Sequence, residues 1–157
     1  PRLRYLHWGM RRALDTNTAL MAESCAGELF REIPHTRAES ARNYKARTFD
    51  ACAQRIHAAR ERIEHSYGQD LRLGDLARTV DMSTFHFARL FAELVGMPPH
   101  GYLLEMRLRA AAAMLRDGRN VTETCFACGF NNLSHFSRSF ARHYRCSPSA
   151  YPARSRA

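Results

Sequence analysis

With 157 residues, 45% of them hydrophobic, and 24 Lys+Arg against 15 Asp+Glu for a formal charge of +9, the chain can bury one or two modest cores and suits a polyanionic partner. That composition excludes a disordered chain, and no apolar run approaches the ~18–20 residues needed to cross a bilayer. Five cysteines, an odd number without small-scaffold spacing, argue against a disulfide framework and for a reducing compartment, so the cytoplasm is the expected location.

Charge is concentrated late in the chain. After Glu123 no acidic residue occurs, while Arg138, Arg142, Arg145, Arg154 and Arg156 follow. A basic surface in an arginine-favouring chain is the plain reading, since Lys45 is the only lysine. The repeat described below points instead to nucleic acid.

In chain order, residues 2–14 place Leu3, Leu6, Met10 and Leu14 at helical spacing, and residues 19–33 place Leu20, Met21, Cys25, Leu29 and Ile33 on a second amphipathic face. Asp15 to Thr18 supply the turn, so an αα-hairpin is expected. Its core is too small to stand alone. It should pack on a missing domain, on the rest of this chain or on a second copy, the last implying a homodimer through residues 2–33.

Residues 34–47 lack a stripe and read as a linker, which closes a first region at 1–47 and opens a second at 48–157. Thr48 is expected to cap a helix over about 49–67, with Phe49, Cys52, Ile56, Ala59 and Ile63 inward and Gly68 as its stop. A short helix over 73–80 turns its Leu73, Leu76, Ala77 and Val80 inward. Asp81-Met82-Ser83 makes a turn, and Ser83 caps a helix over 84–95 that Gly96 ends. Short helix, tight turn and capped second helix make a helix-turn-helix. A long helix over about 99–117 follows, able to act as a strut of about 30 Å.

The pattern then repeats. Asn120 to Glu123 form a capping-box pattern, Cys128 to Asn131 a turn, and a second helix runs over about 132–144 before Ser147-Pro148 opens a last turn. Phe87/Phe136, Arg89/Arg138, Phe91/Phe140, Pro99/Pro148 and Tyr102/Tyr151 share an offset of 49 residues, while Met82/Phe130 differ by 48. Each copy has His-Phe-x-Arg-x-Phe, with aromatic residues four apart on the inward face and an arginine directed elsewhere. The expected fold is therefore all-α, with two helix-turn-helix subdomains joined by a long linker helix and preceded by the hairpin.

These residues resemble the DNA-binding domain of the AraC/XylS family of bacterial transcription regulators. The resemblance is carried by Leu76-Ala77, Met82-Ser83, His86-Phe87-x-Arg89-x-Phe91, Gly96-x-Pro98, Tyr102-Leu103 and Arg107-Leu108-x-x-Ala111. In the second half it is carried by Ala127-Cys128-Gly129-Phe130, Phe136-Ser137-Arg138-x-Phe140 and Ser147-Pro148-Ser149-Ala150-Tyr151, so that it covers about 58–152. It implies two recognition helices laid into successive major grooves of double-stranded DNA, about 34 Å apart.

By family position the base-facing residues are Thr84, Phe85, Ala88 and Arg89 in the first helix and Leu133, Ser134, Ser137 and Arg138 in the second. Arg89 and Arg138 suit bidentate contact with guanine, with a phosphate clamp or an internal salt bridge as the alternatives. Thr84, Ser134 and Ser137 can reach bases or phosphates, whereas Ala88 and Leu133 can touch only apolar atoms such as thymine methyls. Ser83, His86, Arg107, His135, Arg142 and Arg145 are phosphate candidates.

Departures from the family pattern are Arg72 at a usual cap, Pro98 for a frequent Ser, Thr124 at a usually aliphatic core position, Arg145 for a glycine and Pro152 for an arginine. They imply a weaker second reading head, or one that the late arginines compensate electrostatically.

The implied function is sequence-specific transcription regulation, more often activation through RNA polymerase, with a weakly specific architectural DNA binder as the alternative. No cofactor is expected. Cys125-x-x-Cys128 lacks a second ligand pair at zinc spacing and reads as two small buried residues. No nucleophile elbow, phosphate loop or carboxylate pair points to an enzyme.

Overall fold

The computed structural model describes residues 1–15 and 46–151, and its elements are all helices. In order they are α1 (Arg2–Asp15), α2 (Ala46–Ser66), α3 (Leu73–Thr79), α4 (Thr84–Val95), α5 (Pro99–Arg116), α6 (Val121–Ala127) and α7 (Leu133–Tyr144). The second arm of the expected hairpin and nearly all of the linker lie outside the described residues. Two compact units form, Pro1–Arg60 with Leu76–Pro99, and Glu61–Asp75 with His100–Ala157.

The first unit is organised around α4. Ser83 is in extended backbone and its hydroxyl accepts from the His86 N–H at 3.3 Å, which fixes the first turn. Apolar residues at Phe87, Leu90, Phe91, Leu94 and Val95 then repeat at helical spacing and are all buried. The Phe87 and Phe91 rings meet edge to face at 5.6 Å. From α2 come Phe49, Ala53, Ile56 and Ala59, and from α3 and its end Leu76, Ala77 and Val80.

Of the alternatives open for the first helix, packing on the rest of this chain is the one seen. α1 contacts α4 and buries Tyr5 and Leu6. Against α2, Arg4 stacks on the Phe49 ring at 4.3 Å and Trp8 meets the His57 ring edge at 5.6 Å.

Three local expectations are corrected. α2 begins at Ala46, which puts Thr48 inside the first turn instead of at the cap. Its buried face uses Ala53, fully enclosed, where Cys52 was expected and is only half-buried. Leu73 is 37% exposed, because it opens a seven-residue helix whose inward side is already taken by Leu76 and Ala77.

The second unit packs Leu108, Ala111, Ala112 and Leu115 of α5 against Cys125, Cys128, Phe130, Phe136 and Phe140. Phe136 lies 5.0 Å from Phe130 and 5.6 Å from Phe140. Tyr151 closes edge-on over Phe140 at 5.2 Å, held by a turn in which the Ala150 N–H donates to the Ser147 hydroxyl. The Asn120 side chain caps α6 by accepting from Thr122 and Glu123, and Asn132 caps α7 by accepting from His135.

Both tight turns are built alike. In the first, Met82 N–H bonds back to Ala77 C=O and Asp81 N–H to Arg78 C=O; in the second, Phe130 bonds to Cys125 and Gly129 to Phe126. This is the paired closure of a Schellman motif around a left-handed residue, Asp81 at φ +52° and Gly129 at φ +80°. At Gly129 a Cβ would also lie 2.8 Å from the Gly68 carbonyl oxygen and 2.9 Å from that of Tyr67, so the turn fits only without a side chain.

Candidate nucleic-acid interface

Burying Phe87 and Phe91 turns the opposite side of α4 outward. Thr84, Phe85 and Arg89 are exposed and Ala88 is half-exposed, at positions one and four apart that share one face. Arg89 makes no hydrogen bond or ion pair with the described residues, so of its three readings the internal salt bridge is not found among them. Ser83 is exposed but already holds the cap, and His86 is half-buried.

The second unit repeats the arrangement. Leu133, Ser134 and Arg138 are exposed and Ser137 is half-buried. Arg138 lies along its own helix, Nε donating to the Ser134 carbonyl at 3.3 Å, a weak bond that a stronger acceptor can replace. No acidic residue falls in α7, whose last turn carries Arg142 and His143. His135 is exposed with its ring 5.9 Å from Phe130. Arg145 is exposed just past the helix end. Each unit thus presents a capped helix with exposed arginine on its outer side, Arg89 in α4 and Arg138 with Arg142 in α7.

Arg107, a phosphate candidate from the sequence, is engaged by backbone carbonyls of its own unit. Its Nε donates to the Tyr67 carbonyl at 2.8 Å and its Nη2 to the Gln69 carbonyl at 2.9 Å, so the guanidinium fastens the turn after α2 where a phosphate contact was expected. Burial pushes its pKa down from the ordinary value, and neighbouring Asp70 pulls in the opposite direction. The contact spans 38 and 40 residues, beyond the reach of any local pattern. Phe126 is 57% exposed, although burial is the default for phenylalanine and nothing in the local pattern sets it apart.

Cys125 and Cys128 are fully buried, Cys125 Sγ facing the Phe130 carbonyl and Cys128 Sγ facing Met114 Sδ at 3.8 Å. Burial and then Cys125 push the Cys128 thiol up to about 11. These are packing thiols. Among the described residues no group of three or more His, Cys, Asp or Glu side chains is placed to hold a metal ion, and no helix is long and apolar enough to cross a membrane.

Two capped recognition helices on aromatic cores define an all-helical, two-headed DNA-binding domain. A family model described as a helix-turn-helix domain matches residues 76–154. The chain belongs to the AraC-type helix-turn-helix family and carries the DNA-binding domain of a transcription regulator. This is a family of DNA-binding domains and not a class of enzymes.

It is 30% identical over 88 residues to the virulence regulon transcriptional activator VirF of Yersinia enterocolitica, covering 55% of this chain and 32% of that protein. It is 28% identical over 93 residues to the transcriptional activator RhaR of Mannheimia succiniciproducens, covering 59% and 34%. The chain thus spans about a third of the length of these curated relatives. Among solved structures, an AraC-type regulator from Chromobacterium violaceum is 29% identical with a TM-score of 0.60, over 64% of this chain and 90% of that one. The DNA-binding domain of AdpA, solved in complex with a target DNA, is 28% identical with a TM-score of 0.57, over 68% and 93%.

Proposed function

We propose that the chain reads duplex DNA sequence-specifically through α4 and α7, each entering a major groove, the two grooves being successive, and that it serves a cytoplasmic transcription activator which contacts RNA polymerase. One observation carries this reading: in both units the arginine that follows the buried phenylalanine by two positions is exposed on a helix whose first turn is fixed by a side-chain cap. A guanidinium held this way meets guanine O6 and N7 together, and a wrong base costs about 1–3 kcal/mol. Thr84, Phe85, Ala88, Leu133, Ser134 and Ser137 complete the base-facing set. Ser83, His86, His135, Arg142 and Arg145 lie on the phosphate side, and no metal or cofactor takes part.

Support for activation comes from the names of VirF and RhaR as activators, and for DNA as partner from the AdpA complex. A homodimer through residues 2–33 remains part of this reading, with Tyr5 and Leu6 of α1 used within their own unit and other residues of that stretch left to form the contact.

The test is selection of bound sequences from a random duplex pool by the 157-residue chain, followed by comparison of the winner with scrambled DNA at one salt concentration. An asymmetric motif of two clusters about one helical turn apart is expected. Equal affinity for scrambled DNA would establish the architectural reading instead.

A further inference from the structure

We propose that Arg2 is a positioning residue for DNA binding by the first unit: α1 brings its guanidinium to the C-terminal end of α4, and that helix is held for the duplex only while α1 is docked. The inference rests on α4 being the helix that reads DNA in this unit. The guanidinium lies against Gly96, the residue that ends α4, so closely that a Cβ added there would fall 2.5 Å from Arg2 Cζ and 2.8 Å from Nε. Arg2 is half-buried at this contact. Behind it α1 is anchored in the same unit by Tyr5 and Leu6, both buried.

The two recognition helices differ at this end. The last carbonyls of a helix have no partner inside it and carry the negative end of its dipole, which a cation stabilises. In α7 the last turn supplies its own cations, Arg142 and His143. In α4 the last turn has no basic residue and carries Glu93, a charge of the wrong sign there. The cation that completes α4 comes instead from α1. Without it the last turn of α4 opens more readily, and apparent affinity falls with the fraction of molecules that keep α4 in place. By the reciprocity of linkage, a duplex gripped by α4 must in turn hold α1 down. Undocking α1 therefore weakens the first head and leaves the second untouched, so α1 is a handle by which a change elsewhere in the protein reaches one half-site alone.

The 157-residue chain is titrated with its selected site and with two duplexes that each have one half-site scrambled, the first half-site being the one whose preference Arg89→Ala removes. Arg2→Ala is expected to bind the first half-site about two- to threefold more weakly, the worth of one charge at a helix end, and the second half-site as before. Arg2→Lys keeps the charge and restores most of the loss. Arg4→Ala removes a cation of the same helix that stacks on Phe49 instead, and leaves the ratio of the two half-sites unchanged. Hydrogen exchange of the α1 amides slows on adding the first half-site and not on adding the second, and melting confirms that the variants fold. Equal loss at both half-sites, the same loss in Arg4→Ala, or α1 exchange indifferent to the first half-site overturns this inference and leaves two-headed reading intact. Failure of the wild-type chain to enrich any sequence, or an Arg89→Ala variant with both preferences intact, overturns the reading beneath it as well.

Discussion

Gly96 and Arg145 stand 49 residues apart at the same place in the two repeats, and both end their recognition helix in left-handed backbone, at φ +88° and +60°. Each donates its N–H four residues back, to Ala92 and to Ala141. Glycine takes this conformation freely, whereas an arginine there costs about 1–2 kcal/mol. Arg145→Gly is therefore expected to stabilise the second unit by about 1 kcal/mol in urea denaturation. If Arg145 contacts phosphate as proposed, the same change removes that contact, so it should lower affinity and reduce the salt slope by about one. Stability and binding moving in the same direction would contradict this account.

Thr124 is fully enclosed, and its hydroxyl has no hydrogen-bond partner. An unsatisfied buried polar group costs about 1–3 kcal/mol. Thr124→Val keeps the shape and removes the group, so the denaturation midpoint should rise by the equivalent of about 1 kcal/mol or more. A lower midpoint would show that the hydroxyl is satisfied by ordered water.

Leu6 is 1% exposed in the first unit although α1 precedes the repeat by more than fifty residues. Leu6→Ala should destabilise that unit by about 2–4 kcal/mol through the cavity it leaves. Thermal unfolding measures this directly; an unchanged transition would mean that α1 is not part of the core.

Removing Arg107 strands two carbonyl oxygens, those of Tyr67 and Gln69. Arg107→Lys is expected to cost about 2 kcal/mol, since an ammonium cannot bridge both as a planar fork does. The number of phosphate contacts read from the salt slope should stay the same, which separates a structural role from a DNA contact.

Burial raises the Cys128 pKa from an ordinary 9.0 to about 11. In the unfolded chain the thiol ionises first, so the unfolded state holds fewer protons over that interval and stability falls as pH rises. The Cys128 contribution should be constant below pH 9 and be lost progressively between pH 9 and about 11. Cys128→Ala, compared across the same pH series, should flatten the decline.

Much of the fold was legible because its signals are local. The Ser83 and Asn120 caps, the Gly96 stop and the four-residue spacing of each phenylalanine pair act within one or two helical turns, and each stands where the pattern put it. What escaped depends on distant partners. Periodicity gave α1 an apolar face but not the identity of α4 as its neighbour. Arg107 looked like any surface cation until the turn after α2 came beside it. Family position pointed to Thr84, Phe85, Arg89, Leu133, Ser134 and Arg138 as outward, and all six are exposed, but it did not show that Phe85 would be 80% exposed.

At the joint between the turn after α2 and the turn before α7, Gly129 leaves no room for a Cβ beside the Gly68 and Tyr67 carbonyls, and a Cβ on Gly68 would itself lie 3.0 Å from the Ala127 oxygen. Peptide planes meet there with nothing between them. A narrow tolerance in the second unit is therefore set where the chain has no side chains at all, and a side chain added at either glycine must be met by movement of the opposite backbone.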